Sequence, residues 1–145
     1  MEEAVPVQIE EKIANIPPLA GMVILKLIAS DRPEERENDL SDIFKIIEHY
    51  YALKWDEIVE IHYDTLDKEP FDQKIIAAEV LGRNARLYLD KSKAISERVL
   101  KVLETNLQDA SRSAIAKEWA RKLDVDIEYA FALLTAFQKG ITHAL

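Results

Sequence analysis

Cysteine is absent from the 145-residue chain, which removes disulfides, thiolate nucleophiles and cysteine-based zinc sites together. Glycine is nearly absent as well. Gly21, Gly82 and Gly140 stand singly, so neither a P-loop nor a dinucleotide-binding fingerprint can be assembled from them. Positive charge is scarce: 19 Lys and Arg face 27 Asp and Glu, and the net charge of −8 opposes general binding to nucleic-acid backbones. Long apolar runs are also missing. Residues 22–29 form the longest, and Lys26 interrupts them far short of the roughly 20 apolar residues of a membrane helix. Glu2 and Glu3 occupy the place of a basic leader region, so a soluble, cytoplasmic protein with no membrane attachment is expected.

What is present is helical periodicity. Val5, Val7 and Ile9 alternate in residues 4–16, a short strand signal that Pro6 demotes to an edge or entry position. Pro17 and Pro18 then set the backbone for a buried helix over residues 19–30. Residues 31–36 break it as a charged turn, in which Asp31 and Glu34 have capping-box spacing. The spacing predicts a helix over 38–53 on Leu40, Ile43, Phe44, Ile47 and Tyr50, and another over 55–66 on Ile58, Val59, Ile61 and Tyr63. Further helices are predicted over 71–90, from after Ser92 to Leu107, over 109–123 with Asp109 and Ser111 as caps, and over 126–139. The fold class is therefore mainly α: an assembly of about seven helices with a short N-terminal strand, an α+β remnant. One domain is the economical organisation at this length, and its weakest seam lies at residues 67–70. That seam separates a motif-bearing stretch, 1–67, from a plainer helical part, 68–145.

Chemistry-bearing residues concentrate in one place. Lys26 on the apolar helix, Arg32 and Arg36 in the charged turn, and Asp39 and Asp42 at the start of the next helix lie within residues 26–42. A lysine beside two arginines suits phosphate oxygens, because charge-assisted and bidentate donors supply affinity and direction. Two aspartates three apart share a helix face near its positive end, where carboxylates are favoured, and such oxygens suit Mg²⁺. The same set also reads as scaffolding, with Arg36 paired to Asp39 or Asp42 and Lys26 extended towards solvent, welding two helices together.

The ordered set resembles a known family. The segments LKLIA and DRPEERENDLSDI look like the downstream motifs of the nucleotidyltransferases grouped with the AbiEii abortive-infection toxins, which have the DNA polymerase β-type fold. The resemblance implies that Lys26, Arg32 and Arg36 face nucleotide phosphates and that Asp39 and Asp42 are the acidic residues of the site. Asn38 stands where the family pattern carries a lysine. The family's metal-binding Gly-Ser motif with its following carboxylates has no counterpart, since no Gly-Ser pair occurs. The chain thus looks like the C-terminal part of such an enzyme, with no metal ligands of its own. Mg²⁺ and a nucleoside triphosphate would enter only if a missing N-terminal catalytic domain or a protein partner supplied the rest. The toxin role, if the family's, belongs to that whole.

The remaining residues read more plainly. His49, His62 and His143 form no HExxH pair and are not expected at a metal, and His49, beside Tyr50 and Tyr51, is expected on a helix surface rather than as a general base. Trp55, Phe71, Trp119, Phe131 and Phe137 fall in apolar stripes and are expected in the core. Glu79 with Arg83, Glu97 with Lys101 and Glu118 with Lys122 have the four-residue spacing of solvated helix pairs. The alternative function is a non-enzymatic, acidic helical interaction domain suited to a basic partner, and self-association into a homodimer is a third expectation. The first two readings differ in geometry: an open basic cleft under one, a cluster closed by its own ion pairs under the other.

Overall fold

The 3.6-residue apolar period is realised as helix throughout. In the computed structural model, residues 19–30, 33–67 and 71–143 are described, and among them the chain forms seven α-helices. These are α1 (Leu19–Ala29), α2 (Pro33–Leu53), α3 (Trp55–Ile61), α4 (Gln73–Leu89), α5 (Lys93–Asn106), α6 (Ala114–Leu123) and α7 (Ile127–Ile141). Two 3₁₀ turns, Tyr63–Asp67 and Ala110–Arg112, join α3 to α4 and α5 to α6. The strand expected within residues 4–16 lies outside the described residues.

Three boundaries differ from the sequence expectation, each for a local reason. Helix α2 starts at Pro33 rather than near Asn38, because proline is suited to the first helical position, where its missing N–H costs nothing. Much of the expected charged turn is therefore helix. Helix α3 stops at Ile61, and the Thr65 hydroxyl donates to the His62 carbonyl at 2.7 Å, which tightens the following residues into a 3₁₀ turn. Before α6, Asp109 caps only the 3₁₀ turn, and Ser113 caps the α-helix itself, its Oγ accepting from the Ala116 N–H at 3.0 Å.

Helix α4 is the axis of the molecule. Residues 76–83 are buried without interruption, which is the pattern of a helix covered on all sides. Its start is fixed by Asp72, whose side chain accepts from the N–H groups of Lys74 and Ile75 at 2.9 and 3.0 Å. Tyr129 of α7 donates its hydroxyl to the same carboxylate at 3.0 Å, tying the start of α7 to the start of α4. Farther along, the two helices nearly touch: a Cβ on Gly82 would strike the Phe137 carbonyl, and one on Gly140 would strike the Glu79 carbonyl. Neither glycine has positive φ, so the missing side chain is what the fold uses.

Helices α1 and α2 pack on α4 from the other side, so the parts before and after residues 67–70 share one core. Helix α6 closes the assembly against α2. Trp119 is fully buried there, its Nε1 donating to the Leu40 carbonyl at 2.8 Å and its ring meeting Phe44 edge-on at 5.9 Å. The expectation that all the large aromatics are core residues fails at two of them. Trp55 and Phe71 are exposed, because the face of α3 and the segment before α4 that carry them have no helix packed over them among the described residues.

Candidate functional site

Helix α1 presents Ala20, Val23, Ile24 and Leu27 to the core, an i, i+3, i+4, i+7 stripe that leaves Lys26 at the edge of the buried face in the last turn. Asp39 and Asp42 sit on one face of α2 and both reach this ammonium. Lys26 Nζ donates to Asp42 Oδ2 at 3.0 Å and lies 3.8 Å from Asp39 Oδ1. The three side chains differ in exposure: 24% for Lys26, 15% for Asp39 and 45% for Asp42. Asp42 is thus the solvent side of the cluster and Asp39 the inner side. Asp39 Oδ2 is buried with no hydrogen-bond partner among the described residues.

Three of the five residues singled out in the sequence are therefore brought together across two helices. Arg32 lies outside the described residues. Arg36 falls within the first turn of α2, where only the backbone is described. Among the described residues, no group of three or more His, Asp or Glu side chains is arranged to hold a metal ion. Asp39 and Asp42 face an ammonium, and two carboxylates already engaged by a cation make a poor Mg²⁺ site without further ligands.

A second polar cluster, which sequence reasoning missed, gathers around the buried side chains of His62, Glu79 and Arg83. Glu79 and Arg83 are not a solvated pair: their side chains are only 5% and 4% exposed, with Arg83 Nη2 donating to Glu79 Oε2 at 3.2 Å. The Arg83 guanidinium also grips Asp64 in a fork, at 3.0 and 2.6 Å, and donates from Nη1 to His62 Nδ1 at 3.0 Å. An arginine can only donate, so His62 Nδ1 accepts and the proton sits on Nε2, which donates to Glu57 Oε2 at 3.0 Å. Asn84 extends the chain, its amide donating to Glu57 Oε2 at 2.9 Å and to the Tyr50 hydroxyl at 2.7 Å.

Comparison with family profiles, curated proteins and solved structures returned no match. The site has to be read from its own geometry.

That geometry gives the two clusters different capacities. A general base needs a free lone pair aimed at a substrate, and both ring nitrogens of buried His62 are engaged. The Arg83 cluster is a structural clasp joining α3, the 3₁₀ turn and α4. Its electrostatics follow from its bonds. The Arg83 guanidinium holds the Asp64 carboxyl down to about 2, and the Asp64 bond in turn raises Arg83. The hydrogen bond from His62, with the one from Asn84, keeps Glu57 below the usual carboxylate range against the opposing effect of burial. The Lys26 cluster differs, because its outer carboxylate is solvent-accessible and its ammonium retains donor capacity for an anion. One signal in the sequence did point to the clasp: Arg83 and Glu79 stand in the middle of the run 76–85, otherwise nearly all apolar or small, and polar groups in such a helix must be paired.

Proposed function

We propose that this chain is the helical, C-terminal part of a nucleotidyltransferase-like protein, in which Lys26, Arg32 and Arg36 contact the phosphates of a nucleoside triphosphate. Asp39 and Asp42 then orient the lysine. The observation that carries the reading is the convergence of Lys26 with both aspartates, which are 13 and 16 residues away in sequence and on a different helix. An ammonium tethered by a buried carboxylate on one side and an accessible one on the other is held in place yet open to exchange. A triphosphate oxygen would displace Asp42, the solvent-side partner, while Asp39 keeps the lysine aimed. These residues do not by themselves hold Mg²⁺, so nucleotidyl transfer would draw its metal-binding carboxylates from a catalytic part or partner, and the chain alone would bind nucleotide without turnover.

Titration calorimetry of the chain with ATP, GTP, CTP and UTP in the presence of Mg²⁺ tests this reading. Saturable binding that weakens about tenfold or more in Lys26→Met, and strengthens in Asp42→Asn as the competing carboxylate loses its charge, supports it. Absence of heat with all four nucleotides, in the parent chain and in Asp42→Asn alike, overturns it.

A second reading, a non-enzymatic acidic interaction domain, is favoured by the closure of Lys26 on its own aspartates. Under that reading the cluster is scaffolding, and Lys26→Met lowers stability without any ligand effect.

A further inference from the structure

Of the nine large apolar side chains exposed among the described residues, six fall between residues 53 and 71: Leu53, Trp55, Val59, Ile61, Tyr63 and Phe71. Trp55, Val59 and Phe71 share a face with Tyr51 through the geometry of the α2–α3 junction, whereas Leu53 lines a separate groove with Leu19 and Ile46. The Lys54 N–H bonds the Tyr50 carbonyl and the Ile58 N–H bonds the Lys54 carbonyl, each at 2.9 Å, so the helical path runs on with little interruption. Tyr51, Trp55 and Val59 therefore line up at successive turns. The Tyr51 ring lies 5.5 Å from that of Trp55 and 6.4 Å from that of Phe71, making one continuous aromatic surface from three elements. Beside it a groove of about 400 Å³ runs between Glu48, Phe71, Asp72 and Tyr129.

Along α3 the charge is one-sided, while Lys74 joins Glu48 and Asp72 at the neighbouring groove. Residues 54–67 carry Asp56, Glu57, Glu60, Asp64 and Asp67 against Lys54 alone, and of these acids Asp56 and Glu60 directly follow the anchors Trp55 and Val59 and are exposed. A second copy of the chain would set these carboxylates against their equivalents across a two-fold axis, which like-charge repulsion disfavours. An anionic membrane surface is disfavoured for the same reason. A partner with apolar side chains flanked by Lys and Arg is matched on both counts, because the aromatics bury its apolar anchors and the carboxylates receive its cations.

We infer that the face formed by the end of α2, by α3 and by Phe71 docks a basic amphipathic helix of a partner protein. One-turn spacing of Tyr51, Trp55 and Val59 matches anchors at i and i+4 on a helix laid along it, with Asp56 and Glu60 pairing its basic flank. The inference uses none of the Lys26 cluster and holds under either reading of that site.

The test is selection of a random peptide library displayed on phage against the full chain, followed by anisotropy titration of the enriched peptides as labelled synthetic versions. The expected peptides carry excess Lys and Arg around apolar residues spaced three or four apart. Their binding should weaken with salt and fall about tenfold or more in Trp55→Ala and in the double variant Asp56→Lys/Glu60→Lys. Leu87→Ala, an exposed position on α4, should leave it unchanged, and circular dichroism of each variant reports that the fold is retained. The inference is overturned by any of four results: no enrichment, enrichment of neutral or acidic peptides, binding indifferent to Trp55→Ala, or a sedimenting dimer that Val59→Glu disperses. The last would assign the face to a second copy.

Discussion

Arg83 illustrates how much one side chain can organise. It makes hydrogen bonds to Asp64, His62 and Glu79 from a 4% exposed position, leaving only its Nε without a partner. Burying a guanidinium is costly unless carboxylates and acceptors surround it, and here they come from the 3₁₀ turn, from the end of α3 and from its own helix. Replacement removes the cation but not the acids. Arg83→Met should therefore destabilise the protein by about 3–5 kcal/mol, since the Glu79 and Asp64 carboxylates lose the guanidinium that both of them face. Urea unfolding followed by circular dichroism measures this, and a loss under about 1 kcal/mol would show that the guanidinium is not what holds the cluster together. Lys26 is the contrasting residue, partly exposed and paired on two sides, and ion pairs so open to solvent add little to stability.

At the scale of elements, the crossing of α4 and α7 decides the packing. These two helices have the most extensive interface in the fold, and Gly82 and Gly140 let their backbones meet. In an unconstrained helix, Gly→Ala gains roughly 1 kcal/mol. Here the sign should reverse. A methyl on Gly82 meets the backbone of Phe137, which cannot rotate away as a side chain could, so Gly82→Ala should cost about 1–3 kcal/mol by forcing the helices apart. Thermal unfolding of Gly82→Ala and of Gly140→Ala checks it: a raised midpoint in either variant would show that the crossing is looser than the geometry indicates. The buried amide of Asn106 serves a similar joining role between α5 and α6, donating to the Val102 carbonyl at 2.8 Å and accepting from the Ile115 N–H at 3.0 Å.

At the scale of the whole molecule, acidity shapes both association and pH response. The net charge of −8 is not spread evenly, since the α3 region concentrates carboxylates on the side that also exposes aromatics. No described helix is long and apolar enough to cross a membrane. Acid stability follows from the same carboxylates. Asp64 is held near 2, below its ordinary value, so its contribution to stability is complete above the unfolded-state value of about 3.9 and is lost as pH falls towards 2. Glu57, also lowered, acts in the same direction. Asp64→Asn should therefore lower stability at neutral pH and flatten its decline between about pH 4 and pH 2, as read by urea midpoints across that range. An unchanged slope would show that Asp64, which is half-exposed, is screened by solvent.

The sequence by itself determined the helices, because a 3.6-residue apolar period and a capping residue are local properties: Ser92 and Asp72 cap α5 and α4 where their side chains can reach the first free N–H groups. It also grouped Lys26, Asp39 and Asp42 within seventeen residues, but the pairing of the ammonium with both carboxylates depends on how α1, with Lys26 in its last turn, packs against α2, in which both acids lie beyond the first turn. What a helical repeat cannot say is which flank of a helix another element will cover. Glu79 and Arg83 have the spacing of a surface pair, yet they are buried because the middle of α4, residues 76–83, is enclosed on every side. Trp55 and Trp119 lie in similar stripes, and one is 45% exposed while the other is 1% exposed, because α6 packs on α2 and nothing described packs over that flank of α3. Burial is a property of pairs of elements far apart in sequence, so the clasp at Arg83, the glycine crossing and the exposed aromatic face were decided only by the tertiary structure.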